Sequence, residues 1–170
     1  RSSEEAVKVA LAEAERRVQA IATVHAALSQ NVDESVDFDE VARTIVRMAG
    51  AIASTDHSVE VITTGSFGTI QADQAQALAT VLNELVANSV EHGLADRDGL
   101  IEVRAEREGT SMTVTVADDG VGFVPGTPMS GLGTQIVHQM VRGELKGSIE
   151  WAPREGGGTL VTLHANLDPA

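Results

Sequence analysis

A chain of 170 residues has room for one domain of ordinary size plus an appended element, and it is long enough to bury a real core. Hydrophobic residues at 42% against 22% charged exclude a disordered chain, no apolar run approaches the roughly 20 residues of a membrane-spanning helix, and the absence of cysteine excludes disulfides, thiolate metal sites and thiol nucleophiles. A formal net charge of −13 argues against a general nucleic-acid surface, because phosphate backbones are held by Lys and Arg, so any polyanion must bind locally.

The chain starts at Arg1-Ser-Ser with no apolar leader, which we read as a segment of a longer, cytoplasmic protein. From about Glu4 to Gln30 the composition is helical, without Gly or Pro. Val7, Leu11, Ala14, Val18, Ile21, His25 and Leu28 alternate at spacings of four and three, a coiled-coil seam with one polar interruption at His25. A second stripe (Ala6, Ala10, Ala20, Val24, Ala27) widens the apolar face beyond what one partner helix covers, so a four-helix bundle is expected. The plainer alternative is a helix packed on its own domain.

A polar linker (31–35) leads to a second helix, about Phe38 to Ala53, acidic at its start. Strand candidates Val59 to Thr63 and Thr69 to Gln71 follow, separated by a Gly-Ser-Phe-Gly turn. A third helix is expected from about Ala72 to His92, with Gly93 as its left-handed terminating residue. Two strands, Leu100 to Glu106 and Ser111 to Asp118, meet at a Glu-Gly hairpin. Beyond the glycine-rich stretch Gly120 to Gly133 come a helix to about Arg142 and strands Ser148 to Trp151 and Thr159 to His164. Helices and antiparallel strands are segregated, which predicts an α+β sandwich with helices on one face of a mixed sheet.

Three stretches carry chemistry. Along Met112 to Asp118 the apolar face (Met112, Val114, Val116) continues onto Asp118, so a carboxylate points into the interior. Such a group is costly unless donors meet it, and the exocyclic amine of a bound base would be one; a frayed strand end in water is the bland alternative. Next, Asp118-Asp-Gly120-Val-Gly122 and Ser130-Gly131-Leu132-Gly133-Thr134 bracket a short Pro-containing loop, Val124 to Met129. Gly at alternate positions admits a planar ligand, a Gly pair opening a helix exposes amides suited to phosphate, and the loop between them suits a lid. Finally, Glu84, Asn88 and Glu91 share one helix face, where a carboxylate and an amide one turn apart offer oxygens to Mg²⁺; a solvated stripe is equally compatible.

Asn83-Glu84-Leu-Val-Ala-Asn88, Asp118-Asp-Gly-Val-Gly122, Gly131-Leu-Gly-Thr134 and Gly156-Gly-Gly-Thr159, in that order, resemble the motif series of the Bergerat-fold ATPases, which include histidine kinases, gyrase, mismatch-repair ATPases and a heat-shock chaperone. The segment Ala14 to Leu28 resembles the second dimerisation helix of the HWE-like branch of sensor histidine kinases, common among soluble actinobacterial kinases. The resemblance implies a Bergerat-type sandwich, residues 31–170, behind that helix, residues 1–30, whose first helix is missing. It implies ATP and Mg²⁺, with Asp118 accepting the adenine amino group, Gly120 and Gly122 shaping the pocket wall, and Thr159 near the adenine. Gly131, Leu132, Gly133 and Thr134 face the phosphates, Asn88 binds ATP as the Mg²⁺ ligand, and Glu84 is the catalytic acidic residue that polarises the attacking group. The sequence departs from the pattern at Glu91, where a basic residue is common, and at Met129, where Gly often stands.

By the same resemblance, the γ-phosphoryl group goes to a histidine in a His-Arg-x-Lys-Asn-Asn-like stretch, and thence to a response regulator, for which an RNA-binding antiterminator is suggested. No such stretch occurs here, so ATP binding without autophosphorylation is expected, with homodimerisation through helix 4–30 and neither direct nucleic-acid contact nor a membrane segment. An anti-sigma-factor serine kinase and a non-catalytic ATP-sensing dimerisation module are the alternatives.

Overall fold

The computed structural model describes residues 2–29, 34–53, 56–127 and 131–170. The elements are α1 (Ser2–Leu28), β1 (Ser35–Asp37), α2 (Phe38–Ala53), β2 (Val59–Gly65), β3 (Thr69–Gln71), α3 (Ala72–Asn88), a π-helical turn (Ser89–Leu94), β4 (Gly99–Glu108), β5 (Ser111–Asp118), α4 (Leu132–Gly143), β6 (Ser148–Pro153) and β7 (Thr159–Asn166). Five strands form one mixed sheet in the order β2-β4-β5-β7-β6, with β2 parallel to β4 and the other neighbours antiparallel.

The register explains the core. Val103 faces Val116 and Val116 faces Val161, while Ala105 faces Val114 and Val114 faces Leu163, so three strands present one continuous apolar face. Against that face lie Ile45 of α2, Leu78, Leu82 and Leu85 of α3, and Val137 and Val141 of α4, all essentially without exposure. This is the expected two-layer α+β sandwich, its core stabilised by apolar burial.

Two local features depart from the sequence reading. Ser35, expected to end a polar linker, instead opens a strand, Ser35–Asp37, that pairs antiparallel with β3, and β3 stands outside the main sheet. The turn between β2 and β3 is held instead by Asp39 at the start of α2, whose carboxylate accepts from Ser66 Oγ at 2.8 Å and from the Phe67 amide at 2.6 Å. The third helix does not end at Gly93 in a left-handed residue. Its α-helical part stops at Asn88, the chain runs on as the π-helical turn, and Ala95 (φ 49°) is left-handed.

α1 packs on its own domain by one face and leaves the other face exposed. Val24 and Thr23 are buried, and Ala20 and Ala27 half-buried, on the face turned to α2 and α3. Leu11 and Ile21, by contrast, are 64% and 67% exposed, and Val7 and Val18 stand out beside them. Of the seam, Leu28 packs on the core and the other positions are exposed, while Ala20, Val24 and Ala27 of the second stripe secure the helix to the domain.

Candidate nucleotide site

A cavity of about 500 Å³ opens between α1, α2, α3, the π-helical turn, the C-terminal end of β5, the start of α4, β6 and β7. That volume lies within the range of small-molecule and cofactor sites.

Its deepest polar group is Asp118. Strand alternation carries the side chain to the covered face, where it is 1% exposed, which rules out a frayed strand end. Oδ1 accepts from the Gly120 amide at 3.0 Å and the Thr159 amide at 3.2 Å, and the Ser89 side chain adds a further hydrogen bond. Burial nevertheless dominates and pushes the carboxyl pKa above its ordinary value; the amides of Gly120 and Thr159 and the Ser89 side chain pull the other way, and neighbouring Asp119 adds a smaller upward push. Asp119 itself has a different task, for its carboxylate accepts from the Leu100 amide at 2.8 Å and ties the end of β5 to the start of β4.

Close approach explains the glycines around this acid. A Cβ on Gly93 would collide with the Asp118 carboxylate, so the residue is small because the acid occupies the space a side chain would need. At Gly120 a Cβ would lie 2.8 Å from the Leu94 amide nitrogen, and at Gly158, whose φ is 98°, it would lie 3.0 Å from the Gly120 nitrogen. Gly156-Gly-Gly-Thr159 is thus the turn that delivers the Thr159 amide to Asp118.

Around the same cavity stand Glu84 and Asn88 from α3, Glu91 from the π-helical turn, and Gly122, Gly131, Gly133, Thr134 and Thr159. Glu84 and Asn88 sit one turn apart, half-buried, and their hard oxygen donors suit a small divalent cation that keeps water and phosphate in its remaining positions. Gly131 (φ 135°) precedes α4, and Gly131, Gly133 and Thr134 bring the start of that helix, the positive end of its dipole, to the cavity lining. Among the expected site residues, Gly120 lies behind Asp118 rather than on the wall, and the Leu132 side chain is exposed, off the cavity lining. Of the lid stretch, Val124 is exposed and its carbonyl accepts from the Thr127 amide at 3.1 Å; Pro128, Met129 and Ser130 lie outside the described residues.

Several lining residues carried no signal in the sequence reading. Ser89 and Gly93 look like helix continuation and helix stop, Phe123 and Trp151 like isolated aromatics, and Arg16 and Arg17 carry no motif on α1. Trp151 leans on His138 with ring centroids 5.2 Å apart.

Comparison with known proteins agrees with this arrangement. The family described as histidine kinase-, DNA gyrase B-, and HSP90-like ATPase matches residues 73–169, the stretch that holds the cavity apart from its α1 side and Ala49 of α2, and the chain belongs to that family. A second family, described as histidine kinase, matches residues 1–52 and so covers α1 and most of α2. Sensor histidine kinase PdtaS of Mycolicibacterium smegmatis is 39% identical over 172 residues, covering 98% of this chain and 34% of that protein. PdtaS of Mycobacterium tuberculosis is 39% identical over 168 residues, covering 96% and 34%. The chain therefore spans about a third of the length of the curated relatives it matches. Among solved structures, the histidine kinase domain of a blue-light activated histidine kinase from Erythrobacter litoralis superposes with a TM-score of 0.75 at 23% identity, over 90% of this chain and 74% of that one. A mycobacterial sensor histidine kinase, MprB, gives 0.60 at 22%, over 82% and 100%. These two likenesses establish the fold.

Proposed function

We propose that this chain is the ATP-binding catalytic unit of a two-component sensor histidine kinase. It places the γ-phosphoryl group of ATP for transfer to a histidine outside residues 1–170, and thence to a response regulator. One observation carries the reading: the fully buried Asp118 shares a single cavity with the Glu84–Asn88 pair and the glycine-opened start of α4. Adenine recognition, cation binding and phosphate binding are thereby brought within one nucleotide's reach.

In this reading Asp118 accepts from the adenine amino group, and the bare backbone at Gly93 and Gly122 lets the ring approach. Thr159 borders the base. Asn88 holds Mg²⁺, which when bound neutralises charge on the phosphates. Glu84 lies beside Gly133 and polarises the attacking imidazole, while the amides opened by Gly131 and Gly133 orient the phosphates. Residues 31–170 form the ATP-binding domain, and residues 1–30 act as the second dimerisation helix, whose exposed seam supports homodimerisation. Such a seam has no role in an anti-sigma-factor serine kinase, which favours the histidine kinase reading. No helix among the described residues is long and apolar enough to cross a membrane, and we place the unit in the cytoplasm. An RNA-binding antiterminator is the proposed class of regulator.

The test pairs binding with transfer. Calorimetry should show Mg-ATP binding to the chain and no autophosphorylation of it. Mixing it with a longer parent protein that carries the acceptor histidine but cannot bind ATP should restore labelling in trans with wild-type chain and not with Glu84→Gln. Absence of ATP binding, or equal labelling by both chains, refutes the assignment.

A further inference from the structure

The charges lining the cavity pose a problem for a triphosphate. Glu84, Glu91 and Asp118 all contribute carboxylates, so the domain surrounds the place for a polyanion with acids. Among the described residues, the lysines and arginines that line the cavity are Arg16 and Arg17, and both come from α1. Arg16 Nη1 contacts the Glu91 carboxylate, and Arg17 Nε stands 3.9 Å from Glu84 Oε1. The Arg17 guanidinium also reaches the start of α4, since a Cβ on Gly133 would sit 3.2 Å from its Nη2. Its side chain is 20% exposed, half the exposure of Arg16.

Resting on the nucleotide reading above, we infer that α1 supplies the phosphate-binding cation of the site: Arg17 ligates the terminal phosphates of the nucleotide, with Arg16 holding the helix at the rim. The argument is one of position and charge. Arg17 lies where three things converge, namely the amides of the α4 start, the Glu84 carboxylate and the cavity mouth. A guanidinium there offers paired donors matched to a phosphate, in a place where, among the described residues, the ATP-binding domain contributes carboxylates and no lysine or arginine. α1 also carries the exposed seam, so the number of phosphates in the pocket sets how firmly the dimerisation helix is held on the domain. A triphosphate adds a tie through Arg17, while a nucleoside leaves the helix with its packing on α2 and α3 and the contacts to Glu84 and Glu91.

The experiment measures the affinities of Mg-ATP, Mg-ADP and adenosine for wild type, Arg17→Gln and Arg17→Lys. Ligation predicts that Arg17→Gln weakens Mg-ATP roughly 10- to 100-fold and Mg-ADP less, with adenosine unchanged, and that Arg17→Lys recovers part of the loss. A structural role, in which Arg17 only secures α1, predicts equal weakening for all three ligands and overturns the inference, as does full ATP affinity in Arg17→Gln. If Arg17 served only to cancel the charge of Glu84, adding Glu84→Gln to Arg17→Gln would restore ATP binding; direct ligation predicts no restoration. Wild type that binds none of the three ligands overturns the nucleotide site and this inference with it. Wild type that binds all three, with adenosine lost only in Asp118→Asn, keeps the site and leaves the Arg17 comparison decisive.

Discussion

Asp118→Asn separates recognition of the base from stability of the fold. The substitution keeps Oδ1, which can go on accepting the Gly120 and Thr159 amides at 3.0 and 3.2 Å, and replaces the other carboxylate oxygen with an amino group. Toward adenine, a charged acceptor becomes a donor set against a donor. Losing a hydrogen bond to a charged group removes about 1.5–3 kcal/mol, which corresponds to a weakening of ATP binding of roughly 10- to 100-fold. Stability moves the other way. Because burial raises the folded carboxyl pKa above its ordinary 3.8, the favourable contribution of this group is complete below that value and is lost as pH rises through the higher folded one. At neutral pH the ionised side chain is thus a cost to the empty fold, and the neutral amide removes it. We expect a thermal midpoint at pH 7 no lower than that of wild type, and an ATP affinity in the wild-type protein that falls as Asp118 becomes protonated in acid. Calorimetry gives the affinity, and Trp151, the chain's one tryptophan and part of the cavity wall, gives an independent fluorescence reading. Equal ATP affinity in the two proteins, or a clear loss of stability in the variant at pH 7, would refute the reasoning.

Two further predictions come from packing. Gly93→Ala forces a methyl group into the Asp118 carboxylate and should cost about 1–3 kcal/mol of stability as overpacking, together with ATP binding; Gly109→Ala, where nothing stands within 4 Å of the added atom but φ is +62°, should lose stability alone. Urea denaturation beside calorimetry distinguishes them, and retention of ATP binding by Gly93→Ala would contradict the geometry. Leu11→Glu together with Ile21→Glu charges only exposed positions, so the thermal midpoint should stay within about 0.5 kcal/mol of wild type while self-association in sedimentation experiments disappears. A large drop in the midpoint would mean that the seam packs on its own domain.

Much of the site was legible in one dimension. The two-residue period of β5 fixes the side on which Asp118 falls, and the 3.6-residue period of α3 sets Glu84 and Asn88 on a common face; both follow from local backbone geometry. The glycine clusters likewise announced close approach, and the segregation of helices from strands announced the sandwich.

Partner choice was decided elsewhere. Nothing local distinguishes Gly93 as a helix stop from Gly93 as clearance for a carboxylate 25 residues later in the chain, and helix-stop statistics therefore gave the wrong cause for a glycine that is required. The strand at Ser35–Asp37 exists only because β3 offers it an edge, and β2 runs parallel to β4 because α3 carries the chain between them. Nothing in the helical pattern of α1 singles out Arg16 and Arg17; the docking of α1 sets them on an acidic cavity. Periodicity reports which side a residue faces; only the packed chain, where burial, charge and backbone clearance must be satisfied together, determines what it faces.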